Sequence, residues 1–552
     1  MTKINRQSVF FQAMMLTFSS LALQALYFIY RMIITRFSGA GGMGIFQLAS
    51  PFYSLISSIS LSGITMAVTR LTVEKTASGE TAESARVVDI AIRIFLSLLS
   101  LCGAITFIAP DFISETIMGD GAVKNSILLF VPCLFFTGFE NIYKAFFFGS
   151  RHLKPNIISE ISEIIIRIAV IFLLLSSNKD ALTPELTSVL IVLGMVISEV
   201  FSFTFLGIYY RRYNKKIGAK SSSAAVIAQS SEKISAEKKE SLTKRLIKQI
   251  ARIAIPVSAS SLLMTIISAV NTIILPQRLT ASGMSHQEAI ETLGELFGMT
   301  APLVMLPAIF IGPLMNVIIP KVTKLASLDK KDELKRLIEK TLRTGAYLSY
   351  PAIGTIAALG GALCVLMYNN ADAARFALPY AISCICVYFQ IISGALLNAL
   401  DKQKNHAAYN VADGVIHISL TYFLTAIPGV GVYGYIIGNF ASSFTGMTLN
   451  MITLKKASGV KISIRKLFIT PIAYGIYTAF MAHFTYTFCM RIGLLPLPAA
   501  VISIGFAALI YLSILEVRGV SPSKYIRELH VPISHTQQQS DSKDKAKARS
   551  LL

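Results

Sequence analysis

The sequence predicts an all-α integral membrane fold: about fourteen transmembrane helices, arranged as two six-helix lobes related as parallel repeats around a central cavity, plus two C-terminal helices. Three observations carry this. Of 552 residues, 53% are hydrophobic and only 15% charged, and the apolar residues fall in blocks of about 20, each able to cross a hydrocarbon core as a helix. The loops between blocks alternate between basic and acidic or neutral. The two halves of the chain also repeat each other weakly. Blocks of this length exclude a β-barrel, whose strands give short alternating segments. The first block is too long for a signal-peptide core and lacks a small-residue cleavage site, so it is expected to remain as a span.

Taken in order, the spans fall near 8–36, 44–69, 88–110, 125–149, 157–177, 186–210, 249–276, 296–319, 342–367, 376–400, 407–427, 431–454, 467–490 and 498–516. Every second loop is basic: Arg70, Lys75 and Arg86; Arg151 and Lys154; 211–248; 321–343; Lys402 and Lys404; 455–466. The others carry Asp111, Glu115 and Asp120; Asp180 and Glu185; Glu288, Glu291 and Glu295; Asp372; and the uncharged turn Pro428-Gly429-Val430. A missed or invented span would break this alternation, which places both termini on the cytoplasmic side of a plasma membrane of bacterial type. The net charge of +21 belongs to these loops and does not indicate a nucleic-acid partner.

The predicted units are an N-terminal lobe (1–210), a basic cytoplasmic linker (211–248), a C-terminal lobe (249–454), helices 13 and 14 (455–518) and a cytoplasmic, largely disordered tail (519–552). At an offset of 250, Phe147–Phe172 lies on Leu397–Tyr422, pairing Lys154 with Lys404, Glu163 with Asp413 and Arg167 with His417. Six spans separate equivalent elements, so the copies share one orientation in the membrane.

Ionisable side chains inside a span cost several kcal/mol unless they face a cavity or a partner, so they are the first functional candidates. Arg31 and Arg36 lie toward the far end of span 1 with Gln24 deeper, and a guanidinium fork suits phosphate oxygens. Arg252 opens span 7, and Asn271 lies within it. Glu160, Glu163 and Arg167 share one face of span 5; Glu140 and Lys144 are four apart in span 4; Glu199 sits centrally in span 6. Together these six form an expected intramembrane charge network, for which bundle stabilisation is the competing role. Pro302, Pro307, Pro313 and Pro320 interrupt span 8, as in helices that line a cavity or bend. The six cysteines are scattered through apolar blocks without ligand spacing, and no Walker loop, kinase set or HExxH occurs, so no enzyme activity, cofactor or metal is expected.

The stretch Tyr30-Arg31-Met32-Ile33-Ile34-Thr35-Arg36-Phe37 with Gly39 and Gly44, then Ala49-Ser50-Pro51 and Gly63–Leu71, resembles the stage V sporulation protein B group of polysaccharide flippases, in the multidrug, oligosaccharidyl-lipid and polysaccharide exporter superfamily. Further matching residues are Phe148-Gly149, Pro155, Glu163, Arg167, Gly294–Thr300, Leu306-Pro307 and Leu396–Leu400. The resemblance, over about residues 8–455, implies fourteen helices in two lobes that carry an undecaprenyl-pyrophosphate-linked glycan outward, a peptidoglycan precursor or another polysaccharide unit. It makes that lipid-linked glycan, membrane lipids and cell-wall synthesis enzymes the expected partners, with sporulation a possible setting. It also implies a cavity role for Arg31 and, more loosely, Arg36; Gln24 stands where many relatives have a further arginine, and Tyr27 where they often have glycine. Two rival readings are a cation-coupled drug exporter of the same superfamily, expected to show carboxylates in spans 1 or 7, and a non-transporting scaffold acting through the linker and tail.

Overall fold

The computed structural model describes residues 6–78, 80–225 and 236–517, and among them no strand occurs. The first long helix, α1 (Arg6–Ser57), takes in the first expected span and the start of the second, which continues through a π-helical turn into the next helix. No loop separates them; the chain turns at Gly39, whose φ of 63° and ψ of −173° belong to a region open essentially to glycine alone. A π-helical turn leads into α2 (Gly63–Ala77), followed by α3 (Thr81–Ile108), α4 (Lys124–Gly149), α5 (Leu153–Ser177) and α6 (Pro184–Ala225). Then come α7 (Ala236–Ala281), α8 (His286–Leu293), a π-helical segment Gly294–Thr300, α9 (Ala301–Val304) and α10 (Ala308–Ser327). The last six are α11 (Lys331–Tyr368), α12 (Ala374–Ala399), α13 (Gln403–Leu424), α14 (Val432–Ser458), α15 (Thr470–Arg491) and α16 (Pro496–Val517).

Nine of the described helices are long and apolar enough, by length and composition, to cross a membrane, and the run Ser19–Ala77 counts as one of them. Large apolar side chains such as Phe423, Ile476, Leu495 and Val517 lie exposed, as lipid-facing residues do. The segment expected as a polar tether differs: α6 runs on to Ala225 and α7 begins at Ala236. Its Ala, Lys and Glu content has high helix propensity, which extends spans already nucleated by packing. The rest of that linker (226–235), residues 1–5 and the tail from 518 onward lie outside the described residues.

The repeat is visible in the backbone. Helices α4 and α12 have bounds displaced by 250 at both ends, and α5 and α13 begin at positions 153 and 403. In the turns between them Arg151 and Asp401, also 250 apart, both take positive φ, 60° and 57°. Two apolar cores follow. One gathers Phe95, Phe146 and Phe147 with Ile250 and Ala254 of α7; the other gathers Phe376, Tyr388 and Phe389 with Leu275 and Leu279 of the same helix. Helix α7 therefore belongs to one core at its start and to the other at its end. The last two helices attach to α11, where Gly354 and Gly475 allow backbone contact and Tyr511 donates to Tyr347 O at 2.5 Å.

Candidate functional site

The chemistry gathers where span 8 is broken. Pro302 has no N–H, so a carbonyl one turn before it loses its helical donor. Helix α1 supplies substitutes. Arg31 donates from Nη2 to Phe297 O at 2.6 Å and from Nε to Gly298 O at 3.3 Å; Gln47 Nε2 donates to Phe297 O at 2.9 Å, and Thr35 Oγ1 to Gly298 O at 3.4 Å. Sequence reasoning singled out Arg31 and the prolines but missed Thr35 and Gln47. The missing N–H of Pro302 was the signal that a carbonyl one turn earlier needed a donor.

The same crossing is held close by glycines. A Cβ on Gly44 would stand 2.1 Å from Ile290 O, and one on Gly294 would stand 2.0 Å from Ala40 O. Beside it, Glu295 is buried and takes a hydrogen bond from Arg375 at 3.1 Å, tying the π-helical segment to α12. This is the end of the bundle where the acidic loops lie. In one of those loops Ser285 caps α8 reciprocally with Glu288, and donation by the Ser285 backbone N–H holds that carboxyl below its ordinary range.

Below the crossing lies a cavity of about 410 Å³, lined by Gln24, Tyr27, Phe28, Tyr30 and Arg31 of α1 and by Pro302, Met305, Leu306 and Ile309. Among the described residues Arg31 is its one charged lining residue. The structure thus brings Arg31 and Gln24 together. Arg36 lies elsewhere: five residues on, it points about 140° away around the helix, donates to Leu366 O at 3.4 Å, and lines a separate cavity of about 590 Å³ with Lys179. Arg252, exposed on α7, and Asn271, buried on α7 and donating to Ile267 O at 3.4 Å, line neither cavity.

The six charged residues expected as a network do form one. Lys144 pairs with Glu140 and lies 3.6 Å from both Glu160 and Glu163. Arg167 contacts Glu163 at 2.5 Å and Glu199 at 2.9 Å, and its Nε donates to Ser198 Oγ at 2.9 Å. Glu199 answers Arg167 within the same bundle, not an arginine across the cavity. Oxygens of Glu140, Glu163 and Glu199 lie within 4.8 Å of one another, spacing suited to a cation, but two cationic side chains already sit on this cluster. Tyr30 of the cavity wall holds its ring 6.0 Å from the Arg167 guanidinium. At the equivalent positions on α13 stand Asp413 and His417, the latter packed on Tyr435 with ring centroids 4.7 Å apart. The repeat kept the polar positions and lost the ion pair. All six cysteines are free, five of them buried.

The stage V sporulation protein B of Bacillus subtilis (strain 168) is 21% identical over 444 residues, covering 80% of this chain and 82% of that protein. Among solved structures, the lipid II flippase MurJ in an inward closed conformation superposes with a TM-score of 0.65 at 12% identity, covering 91% of this chain and 99% of that one. An inward-facing multidrug resistance MATE family transporter of the MOP superfamily gives 0.62 at 12% identity, covering 81% and 100%. At such identities the two structures establish the fold, that of a multi-pass membrane transporter. Residues 12–326, more than half of the chain, match the family described as polysaccharide biosynthesis protein, and the chain belongs to that family.

Proposed function

We propose that this protein is a flippase that moves a polyprenyl-pyrophosphate-linked glycan from the cytoplasmic to the outer leaflet of a bacterial plasma membrane by alternating access, with both termini cytoplasmic. The observation that carries this reading is the single positive charge of the cavity beneath the α1 crossing, Arg31, in a wall otherwise of amide, phenol and apolar groups. A planar guanidinium reads phosphate oxygens, Gln24 adds a neutral donor, and the polyprenyl tail remains in lipid. Arg36 with Lys179 stands beyond the crossing, on the path by which the headgroup leaves. The two bundles rock against each other, the acidic-loop end being outermost and closed here. The sporulation-protein relative and the lipid II flippase fold support the substrate class.

The drug-exporter reading calls for a free carboxylate in the transport cavity, and among the described residues the lining around Arg31 contains none. The experiment is outward exposure of labelled lipid-linked peptidoglycan precursor in cells depleted of their own flippase, comparing wild type with Arg31→Ala at matched membrane levels. Rescue by wild type and its loss in the variant is expected; equal rescue by both removes Arg31 from the mechanism.

A further inference from the structure

A third cavity, of about 580 Å³, opens in the wall formed by the end of α1, α2, α4 and the start of α5. Nothing in the pyrophosphate reading uses it. Its volume is that of a small-molecule site, in the range of roughly 300–1,000 Å³. The wall carries Ser62, Thr65, Thr69, Asn141 and Asn156 and the charged pair Lys144 and Glu160, groups that lipid tails do not satisfy.

The hydrogen bonds of that wall define what it can receive. Ser62 donates to Ser58 O at 2.7 Å, Thr65 to Ser62 O at 3.0 Å and Thr69 to Thr65 O at 3.0 Å. The two amides do the same, Asn141 Nδ2 to Thr137 O at 3.0 Å and Asn156 Nδ2 to Lys144 O at 2.9 Å. Each of these three hydroxyls has given its one hydrogen to the backbone and keeps lone pairs, and each amide keeps one further N–H. Lys144, the one cation, is held by Glu140, Glu160 and Glu163. The wall therefore offers hydroxyl lone pairs beside two amide N–H groups, and Glu160 within it disfavours anions. Phe148 and Met66, 55% and 52% exposed, supply an apolar face beside these acceptors. A ligand rich in hydroxyl donors, uncharged, with one apolar ring face, meets all of these conditions. An organic cation meets them less well, because the carboxylates nearby, Glu160 of the lining among them, already have a cationic partner in Lys144 or Arg167.

We propose that this cavity is a glycan subsite: it holds sugar units of the lipid-linked substrate while Arg31 holds the pyrophosphate. The proposal rests on the flippase reading above. The two cavities are joined through the charge network: Tyr30, in the wall of the Arg31 cavity, has its ring 6.0 Å from Arg167, which contacts Glu163, and Glu163 lies 3.6 Å from Lys144 in the wall of the third cavity.

The test is binding of two lipids to the purified full chain in nanodiscs: a polyprenyl pyrophosphate bearing a disaccharide and the same lipid without sugar. Thr65→Val with Asn141→Leu is expected to weaken the glycosylated lipid about five- to tenfold, as loss of one or two neutral hydrogen bonds does, and to leave the sugar-free lipid unchanged. Phe148→Ala, at an exposed position, is expected to act in the same direction. Arg31→Ala is expected to weaken both lipids. Equal affinity of the wild type for the two lipids, or equal effects of the wall variants on both, overturns the glycan subsite and leaves the flippase reading standing. If neither lipid binds, the flippase reading itself fails. Binding of tetraphenylphosphonium that is lost in Phe148→Ala assigns the cavity to organic cations and also overturns the proposal.

Discussion

Adding one methyl group at Gly44 or Gly294 is expected to push the protein toward an outward-open state. The methyl carbon would stand 2.1 Å from Ile290 O in the first case and 2.0 Å from Ala40 O in the second, where ordinary contact begins at 3.4 Å. The obstructing atoms are backbone, so the helices must part by roughly 1.3 Å, and overpacking of this kind costs about 1–3 kcal/mol. That cost falls on the closed crossing alone, so it shifts the balance of states by about 5- to 150-fold. The readout is a thiol at position 35, where Thr35 is fully buried against the π-helical segment. Labelling of Thr35→Cys by an impermeant maleimide from outside should speed up by that factor in the Gly44→Ala background. Gly63→Ala is the control, because a Cβ there would stand 2.2 Å from Ala254 O at a different crossing. It should lower thermal stability without exposing position 35. Equal gains of labelling in both backgrounds would mean general loosening and would refute the assignment of the Gly44–Gly294 crossing as the outer gate.

Removing the Arg167 guanidinium leaves Glu163 and Glu199 buried with one cation fewer, so Arg167→Leu should cost about 3–5 kcal/mol, read as a large fall in unfolding temperature in detergent. Tyr511→Phe deletes the bond to Tyr347 O and should cost about 1 kcal/mol by the same measurement, while transport in the cell assay stays intact. Pro302→Ala restores an N–H to the turn that Arg31 now serves, so sugar-free polyprenyl pyrophosphate should bind about two- to tenfold tighter, measured in nanodiscs.

The span count and the repeat were legible because each rests on a signal spread over many residues. Loop charge alternates over the whole chain, and the offset of 250 recurs in helix bounds and turn geometry alike. The charge network was legible because Glu160, Glu163 and Arg167 are neighbours on one helix face. What could not be read was which way helix faces point across the molecule. Arg31 and Arg36 look like one site in the sequence and occupy two cavities, because five residues turn a helix well past its own side. Thr65 and Asn141 share a wall although they stand 76 positions apart in the chain, and no local pattern announces that.

The bonds of Arg31 suggest how ligand and gate are coupled on the flippase reading. In this conformation the guanidinium is divided: it lines the cavity, and it also holds two carbonyls across the crossing. A pyrophosphate arriving in the cavity competes for the same N–H groups, and its negative charge and fork-matching oxygens favour it over the two neutral carbonyls. Binding therefore withdraws Arg31 from Phe297 O and Gly298 O, leaving Thr35 and Gln47 to hold the crossing. A ligand shifts an equilibrium only by its differential affinity for the two states, and here the difference arises because the closed crossing and the ligand share one side chain. Sugar-free polyprenyl pyrophosphate should therefore speed labelling of Thr35→Cys in the otherwise wild-type chain. With Arg31→Ala the basal rate should rise, since one holder of the crossing is gone, and the lipid should no longer change it. Acceleration by the lipid that persists in Arg31→Ala would sever the link between the cavity and the gate.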